Sequence, residues 1–197
     1  AALLTLGHPF VPGSRWLMVH LVLLAALTHS ILVWSTHFTQ ALLKTPTSLD
    51  DRRRQSIRLS LNIVGVTLVL IGVPTALWPV TLTGAVLFSA AVGWHGAMLR
   101  VRLRRALPGR FRVTVRYYLA AAALVPVGAT FGVLLARGLD DETHGRLLLA
   151  HTMTMLLGWV GLTVTGTLVT LWPTMLRTRM DDRAETLARQ ALPVLLL

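Results

Sequence analysis

Residues 59–99 read LSLNIVGVTLVLIGVPTALWPVTLTGAVLFSAAVGWHGAML, a run of 41 residues without Asp, Glu, Lys or Arg. A helix needs only about 20 apolar residues to cross a bilayer, so this run is too long for one crossing and long enough for two. Pro74 and Pro79, with Trp78 between them, interrupt helices and mark the turn. The run therefore predicts a hairpin of two transmembrane helices.

Uncharged runs on both sides of this hairpin predict three further spans: Trp16–Leu43, Tyr117–Ala136 and Leu147–Leu176. Only 14% of the residues are charged, compared with about 25% in soluble domains, and the mean hydropathy is +0.64. Inside a bilayer such spans must be helical. The sequence thus predicts an all-α fold, a polytopic transmembrane helix bundle with about five complete spans in one domain, residues 1–197. A sixth span is expected to begin near Leu192, which suggests a piece of a longer membrane protein.

Basic residues are concentrated in three short loops, and the net charge is +11. Such loops face the cytoplasm in multi-pass membrane proteins, so they predict orientation and disfavour nucleic-acid binding. Residues 7–15 and 137–146 are then extracytoplasmic, and the chain lies in the plasma membrane. The loops hold 16 of the 19 lysines and arginines: Lys44, Arg52, Arg53, Arg54 and Arg58; Arg100, Arg102, Arg104, Arg105, Arg110, Arg112 and Arg116; and Arg177, Arg179, Arg183 and Arg189.

Several kinds of chemistry are excluded or disfavoured by composition. The chain has no cysteine, which excludes disulfides, iron–sulfur clusters and thiolate zinc sites. No predicted span contains a carboxylate, and the sequence lacks a phosphate-binding glycine loop and zinc-hydrolase spacing. Hydrolysis and carboxylate-driven proton-coupled transport are therefore disfavoured.

Histidines lie inside the predicted spans, where an ionisable side chain is costly and indicates a functional site. At ~1.5 Å per residue, His20 and His151 lie at similar depths, about 6 Å below the outer ends of their spans. Imidazoles at one level on neighbouring helices can hold a metal or a haem. His29 and His95, both at roughly 20 Å, form a second candidate pair by the same count. His37 has no partner at its level.

Helical geometry constrains these pairs and leaves alternatives open. His29 lies about 180° from His20 around their helix, so the two cannot serve one site. A membrane histidine can instead hydrogen-bond a neighbouring helix, which is the favoured interpretation for His29. Met153 diverges from His151 by roughly 200°, whereas Met155 lies roughly 40° from it. Methionines in a span usually serve packing, although they can also act as soft copper ligands.

Two segments resemble subunit I of haem–copper oxidases, in the cbb3-type and nitric-oxide-reductase branches. Residues 151–161, HTMTMLLGWVG, resemble a helix in which a His-x-His pair precedes Leu-Gly-Trp. Residues 15–20, RWLMVH, resemble the helix that supplies the other ligand of the low-spin haem. His151 matches the first histidine of the pair, and Met153 stands in place of the second. The resemblance implies a haem between His20 and Met153, or between His20 and His151 in a rearranged site, without the catalytic copper helices.

A longer resemblance, over nearly all of the chain, is to the membrane region of actinobacterial copper-oxidase and copper nitrite-reductase fusion proteins. It is carried by residues 157–179, LGWVGLTVTGTLVTLWPTMLRTR, and by residues 20–38, which include ILVWS and HF. In those proteins a multi-helix membrane region precedes extracytoplasmic cupredoxin domains. The resemblance implies an electron-transfer module that contains haem b, with copper as a possible second cofactor.

The expected function is to pass electrons from quinol to an extracytoplasmic cupredoxin-type copper domain, as part of an oxidoreductase that is not catalytic alone. The expected haem ligands come from His20, His151 and Met153, and the second candidate site is His29 with His95. Two alternatives remain. The chain is a cofactor-free membrane anchor or assembly platform, or it is a copper-handling protein whose ligands are His151, Met153 and Met155.

Overall fold

The computed structural model describes residues 10–11, 13–46, 48–107, 109 and 111–196, so part of the segment 7–15, and Arg110, lie outside the described residues. The described residues form helices and turns, without a strand. The chain is an all-α bundle and a multi-pass membrane protein, as predicted. Within these described ranges, five helices are long and apolar enough to cross a membrane: α1, Ser14–Leu43; α2, Leu49–Gly72; α3, Trp78–Arg105; α4, Arg112–Leu135; and α5, Asp141–Met175.

The uncharged run that predicts a hairpin forms α2 and α3, joined by a tight turn at residues 73–77. Pro79 lies in the first turn of α3, where a missing N–H costs no helical hydrogen bond. Ala76 takes a left-handed conformation at the corner, with φ 55°. α2 begins well before the uncharged run, because Ser48 and Asp51 form a reciprocal capping box at its start.

α2 and α3 approach each other closely at glycines. A β-carbon at Gly65 would lie 2.6 Å from the backbone nitrogen of Phe88, and one at Gly84 would lie 2.7 Å from the Gly65 carbonyl oxygen. Small residues of this kind let membrane helices pack backbone to backbone. The pair forms one wall of the cavity described below.

α4 lies at the centre of the bundle, between α3 and α5. Its Val125 is completely buried. A β-carbon at Gly166 of α5 would lie 2.5 Å from Cβ of Tyr117, so the two helices touch there. Tyr118 and Thr167 add a hydrogen bond of 2.8 Å between their hydroxyls across the same contact.

The two ends of the bundle differ in charge. We call the end with the α1–α2 and α3–α4 loops the basic end, and the end with the α2–α3 turn and the α4–α5 loop the hairpin end. At the hairpin end α5 begins at Asp141 because the Asp140 carboxylate accepts the N–H of Thr143 at 3.0 Å. This hydrogen bond holds the pKa of the Asp140 carboxyl below its ordinary value.

A short helix, α6 (Ala184–Val194), occupies the region where a further span was expected to begin near Leu192. Its 11 residues extend over ~16 Å, short of the ~30 Å hydrocarbon thickness. The Tyr117 hydroxyl donates to the Ala188 carbonyl oxygen at 2.8 Å and joins α6 to α4. The described part of this helix therefore packs on the bundle without crossing the membrane.

Candidate functional site

Two intramembrane histidines meet near the hairpin end of the bundle. His20 of α1 and His151 of α5 have ring centroids 6.4 Å apart and ring planes within 20° of parallel. Trp16, one turn before His20, stacks on its imidazole with 4.0 Å between centroids and so restricts its orientation. The sequence predicts a common depth for these histidines, and the structure makes their rings neighbours.

A backbone carbonyl fixes the tautomer of each ring. Nδ1 of His20 lies 2.9 Å from the Trp16 carbonyl oxygen, and Nδ1 of His151 lies 2.8 Å from the Gly128 carbonyl oxygen. A carbonyl oxygen only accepts, so each Nδ1 carries the proton and donates it. Each Nε2 keeps its lone pair, with no hydrogen-bond partner in the part of the chain that the structure describes. Metal-ligating histidines are commonly held in this way.

The centroid distance between the rings is close to that of two imidazoles bound to one metal. Metal–nitrogen distances of about 2 Å on both sides place two imidazole centroids about 6 Å apart, close to the 6.4 Å here. Among the described residues there is no group of three or more His, Asp or Glu side chains that could hold a metal ion. Structural zinc takes four protein ligands, whereas haem iron needs only axial ligands from the protein. The donor set therefore fits a haem better than a bare zinc ion.

Glycines of α4 make room for the side chains of α5. A β-carbon at Gly132 would lie 3.0 Å from Cε1 of His151 and 3.3 Å from its Nδ1. A β-carbon at Gly128 would lie 2.5 Å from Sδ of Met155. The Gly-x-x-x-Gly spacing is a packing pattern that can be read in the sequence, and it is the signal that our sequence analysis missed.

A π-helical segment begins directly after His20 in α1 and three residues after His151 in α5. Leu21–Leu27 is π-helical in α1, and Thr154–Gly161 is π-helical in α5. Such segments are rare and occur frequently at functional sites. In both helices that carry these histidines, part of the regular α-helix is thus replaced by π-helix. No pattern in the sequence indicates this change.

The two rings border a cavity of about 570 Å³, which we call the histidine cavity. Binding sites for small molecules and cofactors span about 300–1,000 Å³. Arg15 and His144 line the cavity as well, on the same two helices. Its walls are mainly apolar and come from all five long helices, with Leu24, Val69, Phe88, Val133 and Trp159 among them.

Met153 and Met155 of α5 lie on different faces of the helix, as helical geometry predicts. Met155 lines the histidine cavity. Met153 is 46% exposed and does not line it. The structure therefore brings His20 to His151 and does not bring it to Met153.

His95 makes a structural hydrogen bond instead of pairing with His29. It is 1% exposed, and its Nε2 lies 2.9 Å from Oγ of Ser35 in α1. Ser35 donates its own proton to the Ile31 carbonyl oxygen, so the histidine is the donor in this bond. His29 is half-buried and makes no hydrogen bond or ring contact with His95 in the described part of the chain. The structure does not bring this second predicted pair together.

His95 belongs to a buried polar cluster in the basic half of the bundle. Arg58 of α2 is 2% exposed and donates to Oγ1 of Thr36 at 3.3 Å. Nδ1 of His95, Nε of Arg58 and Oδ1 of Asn62 have no hydrogen-bond partner among the described residues. None of these side chains lines the histidine cavity.

No protein-family model, curated protein or solved structure matches this chain. The resemblances to haem–copper oxidases and to copper-enzyme fusion proteins therefore stay predictions. The fold defines the chain as a multi-pass helical membrane protein. The histidine cavity is its candidate functional site.

Proposed function

We propose that this chain binds a b-type haem between His20 and His151 and works as an electron-transfer module in the membrane. One observation carries the proposal. Two imidazoles on different helices border an apolar cavity with their ring centroids 6.4 Å apart, and neither Nε2 has a hydrogen-bond partner among the described residues. When bound, haem b supplies reversible one-electron chemistry.

The residues around the rings have distinct roles in this proposal. His20 and His151 would hold the haem iron through their Nε2 atoms. The carbonyl groups of Trp16 and Gly128 accept from both Nδ1 atoms, which fixes the rings and raises their basicity as ligands. The apolar walls exclude water, and such a low-dielectric environment helps to set a reduction potential.

The orientation suggests the direction of electron flow. Cytoplasmic basic loops would put the histidine cavity near the extracytoplasmic face of the plasma membrane. We propose that quinol is the electron donor, because it dissolves in the same bilayer. An extracytoplasmic cupredoxin-type copper domain is the proposed acceptor, in agreement with the resemblance to copper-enzyme fusion proteins.

The test is a reduced-minus-oxidised visible spectrum of the chain purified in mild detergent after expression with ample haem. We expect sharp haem bands at one haem per chain in the wild type. His20→Ala and His151→Ala should each lose at least about 90% of the bound haem, because one axial ligand and its anchoring hydrogen bond are removed. The control is His37→Ala, since His37 is exposed on α1 and does not line the cavity.

Two outcomes would replace the proposal. A flat wild-type spectrum with no bound metal would favour the cofactor-free anchor or assembly platform. Copper without haem would favour the copper-handling alternative, which Met155 supports because it lines the same cavity as both histidines. Haem that stays fully bound in both histidine variants would contradict the ligand assignment.

A further inference from the structure

The histidine cavity is apolar over most of its wall, but besides its central histidines and the indoles of Trp16 and Trp159 it has two further nitrogen-bearing side chains. Arg15 and His144 both line it, and both are exposed. Neither side chain makes a hydrogen bond or ion pair with any residue that the structure describes. A guanidinium and an imidazole are thus available at its margin.

The sequence positions put these two side chains on the same side of the histidine pair. Arg15 precedes His20 by five residues, or about 8 Å along α1. His144 precedes His151 by seven residues, or about 10 Å along α5. Because seven residues make nearly two helical turns, both histidines lie on one face of that helix. Both helices run inward from the hairpin end, so Arg15 and His144 lie between the ring pair and the aqueous surface.

We infer that Arg15 and His144 bind the carboxylates at one edge of the cavity's ligand. This inference depends on the proposed function, in which that ligand is a haem with two propionates. A carboxylate is costly to bury in apolar surroundings unless it is paired, so the apolar walls would hold the macrocycle and Arg15 would pair with a carboxylate at its edge. Arg15 is the main partner because its charge is permanent and its donors match a carboxylate in two-point geometry.

The experiment compares two ligands that differ only at this edge. The full chain, purified from haem-limited cells, is titrated with haem b and with its dimethyl ester, whose carboxylates are blocked. The variants are Arg15→Gln, Arg15→Lys and His144→Gln. The matched control is Arg146→Gln, which removes a charge at the same end from a residue that pairs with Glu142 and does not line the cavity.

Arg15→Gln should raise the Kd for haem b roughly tenfold and leave the Kd for the dimethyl ester unchanged. Arg15→Lys should recover part of the loss, His144→Gln should show a smaller loss, and Arg146→Gln should show none. Equal losses for both ligands, or no loss for either, would overturn the inference while the proposed haem site stands. A wild-type chain that binds neither ligand would overturn both.

Discussion

The histidine pair near the hairpin end and His95 in the basic half of the bundle differ in which ring nitrogen makes a hydrogen bond. Near the hairpin end, backbone carbonyls accept from Nδ1 of His20 and His151, and among the described residues neither Nε2, beside the cavity, has a hydrogen-bond partner. In the basic half, the Ser35 hydroxyl accepts from Nε2 of His95, whose ring is buried. Both regions have imidazoles inside membrane spans. A histidine that is a candidate metal ligand therefore differs from a structural histidine in having a ring nitrogen that makes no hydrogen bond and lies beside a cavity.

The largest effect should come from filling the space that holds His151. In Gly132→Val the new β-carbon would lie 3.0 Å from Cε1 of the imidazole, and the γ-methyl groups add further crowding. We expect haem per chain to fall at least about tenfold, as for loss of a residue that orients a ligand. The measurement is haem content, with helicity by circular dichroism as a check on folding.

Gly93→Val is the matched control for this experiment. A β-carbon at Gly93 in α3 meets no atom within 4 Å, so the same substitution should leave haem content unchanged. If Gly132→Val retained a full complement of haem, haem binding would not depend on the present position of His151. The distinction drawn between the histidine cavity and the region around His95 would then be wrong.

In the basic half of the bundle we expect a medium effect, which lowers the stability of the fold and leaves the haem content unchanged. His95→Ala removes a buried ring and its hydrogen bond to Ser35, so we expect the free energy of unfolding to fall by about 2 kcal/mol. Haem content should stay at the wild-type level. Thermal unfolding in detergent measures the first quantity, and the visible spectrum measures the second.

His29→Ala is the comparison for His95→Ala, because His29 is only half-buried and should contribute less to stability. A folded His95→Ala variant without haem would show that His95 belongs to the cofactor site, and the distinction by ring nitrogen would then be wrong.

The smallest effect should come from substitutions of Met153 and Met155 in α5. Met153→Leu should leave the absorption bands and the haem content within error, because Met153 is exposed away from the cavity. Met155→Leu should keep the haem and change the bands only slightly, since the substitution conserves the volume of a wall residue. A loss of haem in Met153→Leu would instead support the His20–Met153 pairing that the family resemblance implies.

Much of the fold can be predicted from the uncharged runs, because membrane spans are set by length and hydropathy alone. The 41-residue run and its prolines predict the α2–α3 hairpin that the structure contains. The helix ends could not be read from hydropathy, because caps set them. Ser48 and Asp140 extend α2 and α5 through charged residues that a search for uncharged runs excludes.

The site could be predicted only in part. Counting residues along two spans gives the common depth of His20 and His151, since depth depends on the rise of a single helix. The contacts that define the site depend on neighbouring helices. The carbonyl of Gly128, the space at Gly132 and the π-helical segments arise from packing between α4 and α5 and from local backbone geometry, which a residue count along one span does not include.

Near-infrared magnetic circular dichroism of the oxidised, purified chain tests the central claim most directly, because the position of the charge-transfer band depends on the axial ligands. We predict a single low-spin haem with the band of bis-histidine ligation, which disappears in both His20→Ala and His151→Ala. A histidine–methionine band, or a chain that takes up no haem when haem is supplied, would contradict the account.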